Sequence, residues 1–203
     1  MSEALSRRSE RRSRQRAANR NAILDAARRV AAREGAGNLS LRAVAAEAGY
    51  APASVYEYFR NRGELVLALA SDDMGSLVRA LREAAIAKES GLGPLAAAAK
   101  AALEVLRASR ALPAAAATLE AGQAPTEAER LFNGRLIAAL TALAEATGFA
   151  PISDRDRQAD VVLAASAIAG LAVLSRAGRL KAIGLDEAAL LKRLDWRFSP
   201  GKA

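Results

Sequence analysis

The side chains that carry most covalent and metal chemistry are missing from this sequence. It contains no His and no Cys. That removes the usual general base, the usual triad member, the thiolate nucleophile and the common transition-metal ligands, and it leaves no disulfide framework. Carboxylate and Lys chemistry remain open. No paired-carboxylate motif, glycine-rich phosphate loop or metal-ligand spacing accompanies them, so neither an enzyme nor a cofactor is expected. Arginine is what is concentrated. Residues 1–64 hold thirteen Arg and no Lys against seven acids, which gives that stretch +6 of the chain's formal +8. A basic end on a near-balanced body is the electrostatic footprint of phosphate binding. A solvated basic tail is the competing reading. All three tyrosines, Tyr50, Tyr56 and Tyr58, fall within nine residues. A phenol can hydrogen-bond a phosphate while its ring packs on apolar groups behind it. That role suits Tyr56; Tyr58 stands between it and a place in the core.

The elements that must position these groups read as helices. The hydrophobic fraction is 52% and largely alanine, and only 4% of residues are aromatic, a composition that favours an all-α fold. Residues 1–19 form an Arg-rich arm with almost nothing to bury, and disorder is expected there. A helix follows from about Arg20 to Glu34, with Ile23, Leu24, Ala27, Val30 and Ala31 on one face. Leu41–Ala48 is next, with Ser40 as its N-cap and Gly49 at the C′ position. A short helix runs from Pro52 to about Tyr58. Two helices joined by Gly49-Tyr50-Ala51 make a helix-turn-helix. Asn61 caps a long helix reaching about Lys88, and Glu64 stands three residues on. Further helices are expected at Pro94–Leu106, Pro113–Ala121, Thr126–Thr147 (opened by a Thr126–Glu129 capping box), Asp154–Arg176 and Asp186–Leu194. The pattern divides the chain into an arm (1–19), a helix-turn-helix domain (20–67), a helical ligand-binding and dimerisation domain (68–198) and a tail (199–203).

The order of residues from Ile23 to Leu65 is specific. It runs Ile23-Leu24-Asp25-Ala26-Ala27, Gly35, then Leu39-Ser40-Leu41-Arg42-Ala43-Val44-Ala45-Ala46-Glu47-Ala48-Gly49-Tyr50. It ends Ser54-Val55-Tyr56-Glu57-Tyr58-Phe59 and Asn61-Arg62-Gly63-Glu64-Leu65. This resembles the N-terminal domain of the TetR/AcrR transcriptional regulators. The resemblance implies a homodimer that binds double-stranded operator DNA. The second helix of such a motif reads base edges in the major groove with its first residues, here Pro52, Ala53 and Ser54. The resemblance also implies phosphate contacts at Arg42 and Arg62. Ser40 and the first amides of its helix offer another phosphate site through the helix dipole. Ala51 stands where the family commonly has Ser or Thr. Glu57 stands where a neutral or basic residue is common; it can accept from cytosine N4 or pair with Arg60 or Arg42. The arm, with Arg14 and Arg16 nearest the domain, either enters the minor groove or adds affinity through counterion release.

In the second domain, Val161–Leu174 is apolar on nearly every face, which calls for cover from a second subunit. Val161, Ala165, Ala169, Gly170 and Leu174 are the candidate interface. The family resemblance implies that the last two long helices form a four-helix dimer bundle. A ligand pocket is expected between the helix after Asn61 and the segment Pro94–Thr147, at Asp73, Met74, Leu77, Asn133 and Ile137, shaped for a small, largely apolar effector. The nearly apolar run falls short of the roughly 20 residues that span a bilayer, and no leader is visible. A soluble, cytoplasmic repressor released by its effector is the expected function. An effector-independent DNA-binding protein, an activator, or a helical interaction protein with a basic arm are the alternatives.

Overall fold

The computed structural model describes residues 2–87, 91–119, 125–148 and 155–198. Among these the chain is helical and no strand occurs. The elements are α1 Ser2–Glu34, a 3-10 turn Ala36–Asn38, α2 Leu41–Ala48, α3 Pro52–Tyr56, α4 Arg62–Ala87, α5 Pro94–Ala108 and α6 Ala111–Ala116. They continue as α7 Glu127–Thr147, α8 Arg155–Arg176, α9 Arg179–Ala182 and α10 Glu187–Phe198. The predicted ends at Lys88, Ala121 and Asp154, and the tail 199–203, lie outside the described residues.

The chain forms two compact units, one of residues 1–69 and 110–129, the other of residues 70–109 and 130–203. The division at Leu69–Ala70 falls near that read from the sequence. The grouping of α6 with the N-terminal unit does not, because only its neighbours in space, here the turn Ala36–Asn38, reveal it.

The N-terminal unit is built on the predicted stripe. Ile23, Leu24, Ala27 and Val30 of α1 are buried with Leu39, Leu41 and Val44, and Val55 and Phe59 close the core from α3 and its exit. The Ser40 hydroxyl accepts from the Ala43 N–H at 3.2 Å, a cap contributing about 1 kcal/mol. Gly49 sits at φ 72°, where only glycine pays no Cβ penalty, and the Tyr50 N–H donates to the Ala45 carbonyl at 2.9 Å. That turn sets the direction of α3. At the start of α4 the Asn61 side chain accepts from the Glu64 N–H at 2.9 Å, and Glu64 reaches back to the Arg60 N–H at 2.8 Å. Before α7, Thr126 and Glu129 exchange backbone N–H bonds as a capping box should: Thr126 N–H to Glu129 at 2.6 Å, Glu129 N–H to Thr126 at 3.2 Å.

The arm is the main correction. Residues 2–19 are not irregular; they are the first half of α1. No Gly or Pro interrupts residues 2–34. Pairs one turn apart support the exposed part: Arg14 to Glu10 at 3.2 Å and Gln15 to Asn19 at 2.9 Å. Each such pair adds a few tenths of a kcal/mol, and α1's buried second half serves as the nucleus from which helix propagates. Absence of a core argued for disorder; propensity and a preformed nucleus outweigh it.

In the second unit α5 packs against both α8 and α10. The Asp195 carboxylate on α10 accepts from the Leu95 and Ala96 N–H groups at 2.9 and 3.1 Å, capping α5 from a distant point in the chain. A Cβ at Gly93 would collide with that carboxylate, so a larger residue there would have to displace Asp195. A second polar cluster ties α5, α8 and α10. Arg107 donates to both carboxylate oxygens of Glu187 at 3.1 and 3.0 Å, and the Ser175 hydroxyl donates to the same group at 2.7 Å. α8 buries Val161, Ala164, Ile168 and Ala172, while Val162, Leu163, Val173 and Leu174 stand exposed. Its 22 residues are, by length and composition alone, enough to cross a membrane, a test that the core helix of a soluble protein also passes.

Candidate functional site

α3 is held at its back and free at its front. Val55 is fully buried, whereas Ala51, Pro52 and Ala53 are exposed, Ser54 is half-buried and Tyr56 is 50% exposed. The small residues at the start of α3 leave its backbone open to close approach, with the Tyr56 phenol beside them. Tyr50, in the turn, is half-buried. Tyr58 is engaged inside the unit. Its hydroxyl accepts from the Asn19 Nδ2 at 3.2 Å, and the Arg16 guanidinium lies over its ring, 5.6 Å from the centroid. Arg20 stacks likewise on Phe59 at 5.4 Å.

The flanking groups divide. Arg42 is exposed on α2, and its side chain makes no ion pair or hydrogen bond among the described residues; neither does that of Glu57. The pairing open to Glu57 is not formed, because Arg60 turns to Glu64 at 4.0 Å instead. Arg62 is exposed, but its Nη2 donates to the Ala36 carbonyl at 3.0 Å, across 26 residues. It therefore ties the start of α4 to the turn after α1, a duty the sequence did not signal. Ser40 spends its hydroxyl's acceptor on the α2 cap. Arg14 is exposed and paired with Glu10.

One contact that sequence reading missed fixes α2 against α1. Glu47 receives Arg29 at 2.6 Å and Arg33 at 2.8 Å. Hydrogen bonds from Arg29 first, then Arg33, hold its carboxyl below the usual carboxylate value of 4.5. The four-residue spacing of Arg29 and Arg33 was visible, but not the acid that they share.

In the second unit a cavity of about 120 Å³ lies among four helices. Met74, Leu77 and Leu81 of α4, Ala102 and Leu106 of α5, Leu136, Ala139, Leu140 and Leu143 of α7, and Ala165, Ile168 and Ala169 of α8 line it. Every lining side chain is apolar, so the cavity offers no partner to a charge. A volume near 150 Å³ accommodates benzene; a larger guest would have to part the helices. Met74 and Leu77 stand where the sequence put them. The other expected residues do not line it. Asp73 instead accepts from the Ser109 hydroxyl at 2.5 Å. Asn133 is exposed, and Ile137 is 64% exposed. On α7 the cavity is lined by Leu136, itself 37% exposed, with Ala139, Leu140 and Leu143, and not by Asn133 or Ile137. Between α4 and α5 a second hollow of about 300 Å³ carries Glu83, Lys100 and Glu104, and it is more open.

The expected interface residues on α8 also separate. Val161 is buried within the chain itself, which takes it out of the expected interface. Ala165 and Ala169 border the cavity. Gly170 and Leu174 remain on the outer face with Leu163, 58% exposed, and Val173, 54% exposed. Among the described residues no group of His, Cys, Asp and Glu is arranged to hold a metal ion.

Comparison with known proteins agrees with this geometry. Residues 23–69 match the family of bacterial regulatory proteins designated tetR. No curated protein matches the chain. Solved structures share the fold over nearly its whole length. A TetR transcriptional regulator from Rhodococcus sp. RHA1 is 16% identical, covering 93% of this chain and 100% of its own, with a TM-score of 0.63. The transcriptional regulator FadR from Bacillus subtilis, in complex with stearoyl-CoA, is 22% identical over 90% and 98%, with a TM-score of 0.57. The TetR-like regulator LfrR from Mycobacterium smegmatis, in complex with proflavine, is 19% identical over 93% and 98%, with a TM-score of 0.57.

Proposed function

We infer that this chain, whose residues 23–69 match the tetR family of bacterial regulatory proteins, is a DNA-binding transcriptional regulator of that kind, a dimeric repressor released from its operator by a small apolar ligand. The observation that carries this reading is α4. It is one unbroken helix from Arg62 to Ala87. Leu65, Val66 and Leu69 are core residues of the DNA-binding unit, and Met74, Leu77 and Leu81 form a wall of the cavity. A ligand entering so small a cavity must displace its walls, and α4 is the wall that continues into the reading head.

Two copies are needed. Paired heads reach successive major grooves, about 34 Å apart. The outer face of α8 supplies the joint: Leu163, Gly170, Val173 and Leu174 present an apolar strip with small residues at its middle. Each large side chain buried there contributes about 1.5–3 kcal/mol. On the DNA side, Pro52, Ala53 and Ser54 meet base edges while Tyr56 and Arg42 meet phosphates. Arg62, engaged with Ala36, supports the motif as much as it contacts DNA.

The ligand class follows from the lining. With no polar group to orient it, the guest is recognised by shape and apolar area. The neighbours in fold that hold stearoyl-CoA and proflavine support a ligand-responsive reading. By linkage, a ligand that prefers the DNA-free state loses as much affinity on operator as it removes from operator binding. The test is a pair of titrations with the same apolar probe, one for binding and one for release of a bound duplex. Release in proportion to occupancy is expected. Occupancy without release would break the α4 coupling, and tighter DNA binding would make the ligand a co-repressor.

A further inference from the structure

The N-terminal half of α1 has no part in the reading head's core, yet it is helical and aimed. From residue 6 to residue 18 its side chains are exposed. Arg8, Arg12, Arg16 and Arg20 follow one another at four-residue steps, which places them along one slowly winding edge about 18 Å long. The lower end of that edge is anchored: Arg16 stacks on Tyr58 and Arg20 on Phe59, just beyond α3. A chain of hydrogen bonds, Gln15 to Asn19 at 2.9 Å and Asn19 to Tyr58 at 3.2 Å, holds the same turn of α1 to the same place. Arg8 and Arg12, farther out, have no acidic partner among the described residues.

We propose that residues 2–20 are a helical spur of the DNA-binding unit, whose Arg8–Arg12–Arg16–Arg20 edge lies along a phosphate strand beside the groove read by α3. This rests on the reading of the chain as a duplex-binding protein. A helix is about 10–12 Å across with its side chains, whereas the minor groove is about 6 Å wide, so the spur does not thread that groove as an extended arm does. The duplex exposes one phosphate per 3.4 Å of axis on each strand, so an edge of this length meets several. Arginine forks match phosphate oxygens two at a time. A membrane is the poorer partner. The spur from Ser6 to Ala18 carries no large apolar residue, and an interfacial helix needs an apolar face.

The account predicts dependence on helical phase, not charge alone. Two variants of the full chain test it on a duplex selected from a random pool by the wild-type protein. Arg8→Gln with Arg12→Gln should lower the slope of log affinity against log salt by about two per protomer. Inserting one alanine after Ser13 leaves the charge unchanged, turns Arg8 and Arg12 about 100° off the edge and puts Arg7 and Arg11 on its far side; it should lower the slope equally. Circular dichroism checks that helicity persists. If the insertion binds like wild type while the double substitution does not, the segment acts as mobile charge and the spur is wrong. If neither changes the slope, the edge does not touch DNA. If the double substitution instead abolishes binding to anionic vesicles and spares DNA, the partner is a membrane and the proposal falls. A wild-type protein that selects no duplex would overturn the underlying function reading, a result distinct from each of these.

Discussion

Replacing Leu77 by Trp should separate ligand response from DNA binding. Leu77 is nearly buried and forms part of the α4 wall of a cavity of about 120 Å³. An indole there occupies the space a guest would take. Overpacking of this kind costs about 1–3 kcal/mol, which a folded domain of ordinary stability can bear. The wild-type protein, held with an uncharged apolar probe at ten times its Kd, gains about 1.4 kcal/mol. For a chain of this size each kcal/mol moves Tm by about 2–4 °C, so a rise of about 3–6 °C is expected. Leu77→Trp should melt at a temperature unaffected by the probe, while its affinity for duplex stays within a few-fold of wild type. Scanning calorimetry with and without probe reads the first quantity; fluorescence anisotropy of labelled DNA reads the second. A probe-induced rise of equal size in wild type and variant would place the ligand elsewhere and refute the cavity assignment. Equal stabilisation by a small carboxylate or ammonium ligand would also refute it, because no lining group pairs with a charge.

Glu47→Gln tests the α1–α2 contact. Glu47 is held below its ordinary 4.5 by Arg29 and Arg33, so its contribution is present above that pH and lost as pH falls through the lowered value. The substitution should reduce the wild type's stability at pH 7 and make its acid midpoint less steep; identical acid profiles would mean the contact contributes nothing. Leu163→Glu with Val173→Glu puts charge on the outer face of α8 without touching its core side, and sedimentation should show folded monomers. A dimer as tight as wild type would move the interface elsewhere. Gly93→Ala should push Asp195 off the α5 amides and cost about 0.5–2 kcal/mol, the range for a lost cap, read as a lower denaturation midpoint. An unchanged midpoint would show that the carboxylate relocates freely.

What was legible in the sequence is local. Ser40, Gly49, Pro52, Asn61 and the Thr126–Glu129 box each act within four residues, and each sits where its chemistry put it. The buried positions of the helix-turn-helix were readable because α1, α2 and α3 each offer one apolar stripe. α7 offers two. Leu131, Ile137 and their neighbours compete with Leu136, Ala139 and Leu143, and only the placement of α4, α5 and α8 decides which turns inward; Asn133 and Ile137 were chosen from the losing face. α8 hides the same ambiguity, so Val161 was read as interface although it is core. The polar ties were invisible for a different reason. Asp73–Ser109, Arg107–Glu187 and Asp195 with Leu95 join points 36, 80 and 100 residues apart, and no periodicity reports such pairs. In residues 2–19 composition speaks only to burial and so points to disorder, whereas helix propagates there from a nucleus already packed.

The most direct measurement of the central claim is selection of duplexes from a random pool by the full chain at near-physiological salt. A two-fold symmetric site should emerge, its half-sites about 10–10.5 base pairs apart or a multiple of that, and substitution of Ala53 or Ser54 by a larger side chain should change the bases chosen. Recovery of no common sequence, with binding that vanishes as salt rises, would reduce the protein to a phosphate binder and contradict the account.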